Sequence, residues 1–405
     1  MAVHGHCDPA FARVRDEFER NFAERGELGA SVCVFLDGEP VVDLWGGVAD
    51  PETGREWQDD TVHLIMSCSK GLTALCGHLL IDRGQLDVDL PVAHYWPEFA
   101  RNGKGDIPVR QVFTHQSGVA HVDGRVPRGG FTDWELMISL IEETTPLWEP
   151  GTRVGYHGMT FGWLIGELVR RITDRSIGRF FRDEIGEPLG VDCWIGLPAE
   201  HESRVAPSIP GGGATVDLPP RILAALSNPE SPMVKAISNM GSWPSEWDTR
   251  AAHAAEIPAG GAISNARGLA GVYAPLALGG RINGVRVISE AAIPRMRYPQ
   301  AWTDVDAVSC LRTCYTLGFA KSWPNGVGNS VIIGEDAFGT PGLGGQIGFA
   351  DPSCRLSFAY TVNRHSAGTG LGSSGQALVD AVYRTVGSPT NAPGFWVRPE
   401  ARSRR

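Results

Sequence analysis

The stretch His63-Leu64-Ile65-Met66-Ser67-Cys68-Ser69-Lys70-Gly71 runs straight into an apolar helical segment, and its reading decides the rest of the chain. Ser67 and Lys70 stand three residues apart, so a helix opening at Ser67 brings both side chains onto one face. A serine hydroxyl is a weak nucleophile at neutral pH and needs a base beside it. A lysine one turn later supplies that base once burial and nearby cations lower its pKa. The helix N-terminus adds partial positive charge and free N–H groups where an oxyanion would form. Leu72, Leu75, Cys76, Leu79 and Leu80 make an apolar stripe, which predicts a helix buried on one side with Lys70 partly desolvated. The competing reading is a polar helix cap, with Ser67 as N-cap and Lys70 in solvent.

Composition narrows the field. The 405 residues are 42% hydrophobic and 20% charged, which suits a globular chain with a substantial core and two or three domains. A net charge of −10 argues against nucleic acid or an anionic membrane as partner. No apolar run approaches the roughly 20 residues that span a bilayer. The N-terminus, Met-Ala-Val-His-Gly-His-Cys-Asp, lacks a signal pattern, and eight scattered cysteines read as the thiols of a cytoplasmic protein. Cys310 and Cys314 are too isolated to suggest zinc. Gly370-Leu-Gly372-Ser-Ser-Gly375 matches a dinucleotide fingerprint but lacks the βαβ unit and the acidic residue that such a site needs. No Gly-x-Ser-x-Gly elbow surrounds any serine. No metal and no cofactor are expected, and oligomeric state is unreadable.

The element pattern begins helix–strand–strand. Phe11, Val14, Phe18 and Phe22 have helical spacing, and Asp37-Gly38 joins the alternating runs Ser31–Leu36 and Pro40–Trp45 into a hairpin. Strand signals return at Tyr315–Ser322, Gly345–Ala350 and Leu356–Val362, followed by a helix from about Gly375 to Val386. Between them lie helices, including Thr160–Ile172, and a Pro/Gly-rich stretch, 205–257, of low periodicity. The economical arrangement is an α/β fold of the α+β type: one antiparallel sheet built from both chain ends, with flanking helices and an inserted helical lobe. The expected division is a sheet domain of residues 1–62 and 258–405 and a mainly helical domain of 63–257. Ser67 then lies where the lobes meet, a preferred ligand site.

Two further segments carry chemistry. Trp148-Glu149-Pro150-Gly151-Thr152-Arg153-Val154-Gly155-Tyr156-His157-Gly158 is a loop whose tyrosine can reach a cleft and relay a proton, provided nearby cations stabilise the phenolate. Phe338-Gly339-Thr340-Pro341-Gly342-Leu343-Gly344-Gly345-Gln346-Ile347-Gly348 is a glycine-rich strand that can approach a ligand closely and offer a backbone N–H. Each has a plain alternative, a tyrosine packed by its ring and a kinked strand.

Taken in order, Ser67-x-x-Lys70, Glu149-Pro-Gly-Thr-x-x-Gly-Tyr156 and the glycine-rich strand resemble the class C β-lactamase-like serine hydrolases, and more closely the family VIII carboxylesterases on that fold. Val112-Phe-Thr-His115-Gln-Ser117-Gly118, Glu187-Pro188-Leu189-Gly190 and Pro258-Ala-Gly260-Gly261-Ala-Ile-Ser264-Asn-Ala-Arg267-Gly-Leu269 extend the resemblance over most of the chain. It implies a β-lactamase/penicillin-binding-protein-like fold and an acyl-enzyme on Ser67. Lys70 and Tyr156 would share the base role, and the backbone N–H groups of Ser67 and Leu343 would hold the oxyanion. Ser69 and Cys68 are excluded as nucleophiles, since neither stands three residues before Lys70.

Two departures bear on substrate. Gly158 occupies the place where the β-lactamases carry an amide-binding Asn, and Thr340-Pro341-Gly342 replaces their Lys-Thr-Gly. Both remove contacts for a charged, amide-bearing molecule, so a small neutral ester is the expected substrate. An acyltransferase using the same serine is the alternative; a β-lactamase or a non-catalytic binding protein stands behind both. Substrate contacts are expected from His157, Thr340, Gly342 and Gly344, and from Trp243 and Trp247 in an apolar acyl pocket shaped by the 205–257 stretch.

Overall fold

Asp37 and Gly38, at φ +53° and +94°, close a two-residue hairpin of the kind that needs left-handed backbone at both positions. The computed structural model describes residues 2–211, 218–238, 243–322, 333–366, 370–388 and 396. That hairpin joins β2 (Gly29–Leu36) to β3 (Glu39–Asp50), and β1 (Val3–Cys7) pairs with β3. The far end of the chain supplies β4 (Phe338–Gly342), β5 (Gln346–Asp351) and β6 (Leu356–Val362). Their order is β1-β3-β2-β6-β5-β4, antiparallel throughout, with Arg55–Glu56 pairing off β3. The expected sheet from both chain ends is therefore present, and its seam is the β2–β6 pair.

The helices framing the sheet and the site are α1 (Ala12–Glu24), α2 (Ser69–Asp82), α3 (Thr160–Thr173), α4 (Ala266–Ala277) and α5 (Gly372–Thr385). Period-2 alternation at the seam separates side chains by size. Val32, Val34, Phe358 and Tyr360 face a core shared with Phe18 of α1 and Leu378 and Val382 of α5. The small Cys33 and Ala359 face the other way, into the core that holds Leu269 and Tyr273 of α4. Small residues there let α4 lie close on the sheet, and Ser357 Oγ donates to the Ala270 carbonyl at 2.9 Å.

Several elements differ from expectation. α2 is buried on every side from Ser69 to Ile81, because sheet, α3 and neighbouring loops enclose it; its polar members survive by bonding to carbonyls. Thr73 Oγ1 donates to Pro258 O at 2.6 Å, and a ring nitrogen of His78 meets Leu317 O at 2.7 Å. The expected strand Tyr315–Ser322 is shorter and earlier, Thr313–Tyr315, and turns at Gly318, where φ is +92°. The glycine-rich strand is a hairpin, with Leu343, Gly344 and Gly345 in the turn between β4 and β5. Within 205–257 lie the short helices Pro220–Leu226, Pro232–Ser238, Trp243–Glu246 and Arg250–Ala254, each too brief to register as a period. A four-strand sheet of two- and three-residue strands also escaped notice, and one of them, Val62–Leu64, leads directly to Ser67. Among the described residues no helix is long and apolar enough to cross a membrane.

Candidate active site

The chain leaves Val62–Leu64, reverses at Met66, where φ is +49°, and carries Ser67 on a single 3-10 turn, Met66–Cys68. α2 begins only at Ser69, so Ser67 stands just ahead of the helix rather than inside its first turn. Left-handed backbone at a non-glycine residue is strained and persists only where the surroundings fix it. Here they do. Ser69 Oγ donates to Met66 O at 2.5 Å and accepts Ala262 N–H at 3.0 Å, while Ile65 N–H reaches Ala262 O at 2.9 Å. Ser69 is thus a brace, and the Cys68 thiol is fully buried and pushed up by that burial, far from a thiolate.

Two side chains converge on Ser67 Oγ. Lys70 Nζ lies 3.1 Å away and also donates to the Ala259 carbonyl at 2.8 Å. Tyr156 Oη donates to the same Oγ at 2.8 Å. Lys70 is 2% exposed, and burial lowers its pKa from 10.5 to about 7. The neutral amine therefore coexists with the ammonium near pH 7. Tyr156 behaves differently from expectation. Burial pushes its phenol up, so the hydroxyl keeps its proton and donates it, and no resting phenolate forms. The His115 ring packs 5.3 Å from the Tyr156 ring, and His157 N–H donates to His115 Nδ1 at 3.1 Å. The segment quoted above as Val112–Gly118 thus supports the Tyr156 loop.

The β4–β5 turn comes up against the Ser67 turn. A Cβ on Gly342 would lie 2.7 Å from Ile65 O and 3.4 Å from Cys68 N, so only glycine permits this approach. Gln346, fully buried, bridges the two: Nε2 donates to Leu64 O at 3.1 Å and to Leu343 O at 3.4 Å. Leu343 itself is exposed beside Ser67's turn.

The family model described as "Beta-lactamase" matches residues 15–381. The chain belongs to the beta-lactamase family. Within it, this chain is 35% identical over 369 residues to "Esterase/beta-lactamase LipL" of Mycobacterium tuberculosis, covering 89% of this chain and 83% of that one. A crystal structure of a family VIII carboxylesterase superposes with a TM-score of 0.85 at 35% identity, covering 95% of this chain and all of the other. A penicillin-binding protein homologue from Caulobacter crescentus gives 0.83 at 32% identity, over 95% of this chain and 100% of that one. The beta-lactamase/penicillin-binding-protein-like fold and the serine hydrolase class follow.

The substrate side of this beta-lactamase-family site differs in part from the sequence reading. His157 is fully buried: Nε2 meets Ser117 Oγ at 2.7 Å and Nδ1 meets Gly155 O at 2.7 Å. Both ring nitrogens are therefore committed, and the ring packs edge-on to Trp148, 6.1 Å between centroids. Thr340 is buried as well, its hydroxyl turned with Tyr273 Oη toward Gly71. Gly344, at φ +94°, backs onto the His365 ring. Trp247 packs against the cluster that holds Met66, Leu197 and Val205, its ring 6.0 Å from that of His365; the side chain of Trp243 falls outside the described part of the chain. The apolar wall next to Tyr156 is instead Ala120, Trp148 and Val308, with Leu147, Ala236 and Ala307. Ala236 belongs to the helix Pro232–Ser238, so the 205–257 stretch reaches the cluster that also packs Tyr156, through a small residue. Sequence reasoning also missed the Ala259 carbonyl and Gln346. The only signal for them was position, within the Pro258–Gly261 segment and at the end of the glycine-rich one. Among the described residues no group of three or more His, Cys, Asp or Glu is placed to hold a metal ion.

Proposed function

We propose that this protein hydrolyses small neutral carboxylic esters through an acyl-enzyme on Ser67. One observation carries the reading: Ser67 Oγ lies 3.1 Å from a lysine that burial holds at about 7, and 2.8 Å from a protonated tyrosine. In the neutral amine one N–H goes to Ala259 O and the lone pair faces the Ser67 hydroxyl. Ser67 attacks the carbonyl carbon, its proton passes to Lys70, and a tetrahedral oxyanion forms. The backbone N–H groups of Ser67 and Leu343 receive that oxyanion in this reading. Collapse expels the alkoxide, which takes the Tyr156 proton, and the Lys70 ammonium, 4.9 Å from the Tyr156 ring centre, restores it. Water then attacks the ester by the reverse steps, giving acid and free Ser67. The division of labour is sharper than a shared base: Lys70 accepts, Tyr156 donates.

The neutral, apolar character of the substrate rests on three places. Thr340 offers no cation and is buried. A Cβ on Gly158 would meet only Tyr156 Cε1, at 3.9 Å, so the space is open where the family's amide-binding side chain stands. The wall around Tyr156 is made of Ala120, Val308, Ala236 and Ala307. The site would sit at the seam of a sheet domain, 1–62 and 258–405, and a helical domain, 63–257. A cytoplasmic setting belongs to the same reading and rests on eight cysteines, all unpaired. The test is a panel of p-nitrophenyl esters and a chromogenic cephalosporin, run on wild type and Ser67→Ala. Short and medium esters should turn over and Ser67→Ala should not; fast cephalosporin hydrolysis would sink the substrate argument. Added alcohols decide between transfer and hydrolysis: free acid should remain the main product.

A further inference from the structure

A fully buried carboxylate, unaccounted for by the chemistry above, reaches the backbone of Tyr156. Asp306 Oδ1 accepts three N–H donors: Tyr156 at 3.0 Å, Val308 at 2.9 Å and Ser309 at 2.7 Å. Oδ2 accepts the Thr313 hydroxyl at 3.3 Å. The Ala307 N–H returns the contact, donating to Val154 O at 2.9 Å. A buried carboxylate is costly unless its lone pairs are satisfied, and these four donors do so. The arrangement is therefore specific. It bonds a turn 150 residues further along the chain to the loop that carries Tyr156.

That loop has no helix or strand to hold it, and it contains Gly151, Gly155 and Gly158. His115 holds the peptide N–H groups on either side, Gly155 through its carbonyl at 2.9 Å and His157 through Nδ1 at 3.1 Å, and Asp306 holds the N–H of Tyr156 itself. We infer that Asp306 is a positioning residue for the reaction: by fixing the Tyr156 N–H it sets where Tyr156 Oη meets Ser67 Oγ. The same turn carries Ala307 and Val308, which share an apolar cluster with Tyr156. This rests on the reading of Tyr156 as proton donor.

Three substitutions test it. Asp306→Asn keeps one oxygen for the three N–H donors and offers an amide to Thr313. Asp306→Glu keeps the charge but moves the oxygens by one methylene, and Asp306→Ala removes both. On a p-nitrophenyl ester, Asn should hold kcat within about 3-fold of wild type. Glu and Ala should lose roughly 30- to 100-fold in kcat with KM within about 3-fold, the size expected for a misplacement near 1 Å. In a Tyr156→Phe background the same changes should cost less than about 3-fold more, because the residue acts through Tyr156. Should the Ala variant not fold, the Asn–Glu contrast still decides. Equal losses in both backgrounds, or Asn and Glu behaving alike, would overturn the positioning role. A Tyr156→Phe enzyme with wild-type turnover would overturn the proton-donor reading itself, a result distinct from either.

Discussion

Lowering the pH across neutrality should remove activity along one limb, set by Lys70. Nζ has two partners, the Ala259 carbonyl and Ser67 Oγ, and burial is the dominant force on it. An ordinary lysine at 10.5 would be free base in about one molecule in three thousand at pH 7, whereas one held at about 7 is free in about half. Burial thus raises the population of competent base by on the order of a thousandfold. Below that point kcat/KM should fall tenfold per pH unit, to roughly one fiftieth of its pH 7 value at pH 5. The neighbouring histidines should add no second limb. Burial holds His115 well below its usual range and His157 at about 4, so both are already neutral. Tyr156 is pushed up, so the plateau should extend into alkaline solution. The assay is initial-rate ester hydrolysis from pH 5 to 9.5 in a pH-stat, with Lys70→Arg beside wild type. Arginine stays protonated, and that variant should be slower by about three decades or more and show no limb near 7. A wild-type profile flat from pH 5 to 8, or an active Lys70→Arg enzyme, would refute the assignment of Lys70 as base.

Stability should also rise with pH, but over a higher window than activity. Between about 7 and 10.5 the unfolded chain binds a proton on Lys70 that the folded chain does not, so stability attributable to this residue rises with pH across that window. Lys70→Met should therefore be more stable to denaturant than wild type at pH 6, by on the order of a few kcal/mol, with the gap narrowing toward pH 10; a less stable variant at pH 6 would contradict this. Gly342→Ala places a Cβ 2.7 Å from Ile65 O and should push the Leu343 turn off Ser67, lowering kcat by about 10- to 100-fold while far-UV circular dichroism is unchanged. Gly158→Asn fills open space beside Tyr156, so it should fold normally and raise the ratio of cephalosporin to ester hydrolysis, measured as kcat/KM for each.

Some of this site was legible because its chemistry is local. Ser67 and Lys70 declare themselves by spacing, and Asp37-Gly38 declares a hairpin by the backbone it needs. Tyr156 was legible through the ordered set of segments around it. What stayed hidden depends on contacts between distant parts of the chain. No pattern near Gln346 says that its amide will bridge Leu64 and Leu343, and none near Asp306 points to Tyr156, 150 residues earlier. α2 read as one-sided because its polar residues look solvent-facing until their carbonyl partners, Pro258 and Leu317, are known. A ligand contact from His157 is expected from the sequence, but nothing nearby in the chain announces that Ser117 and Gly155 will occupy both its ring nitrogens. The two-residue strands that seat Val62–Leu64 fall below the length at which alternation carries information.

The most direct test of the account is to trap the covalent intermediate. Wild-type enzyme mixed with excess p-nitrophenyl ester, acid-quenched within the first turnover and digested, should yield one peptide heavier by the acyl group, with the acyl on Ser67. It should be absent from Ser67→Ala. Acylation at Cys68, Ser69 or another residue, or steady turnover by Ser67→Ala with no adduct in either protein, would contradict it.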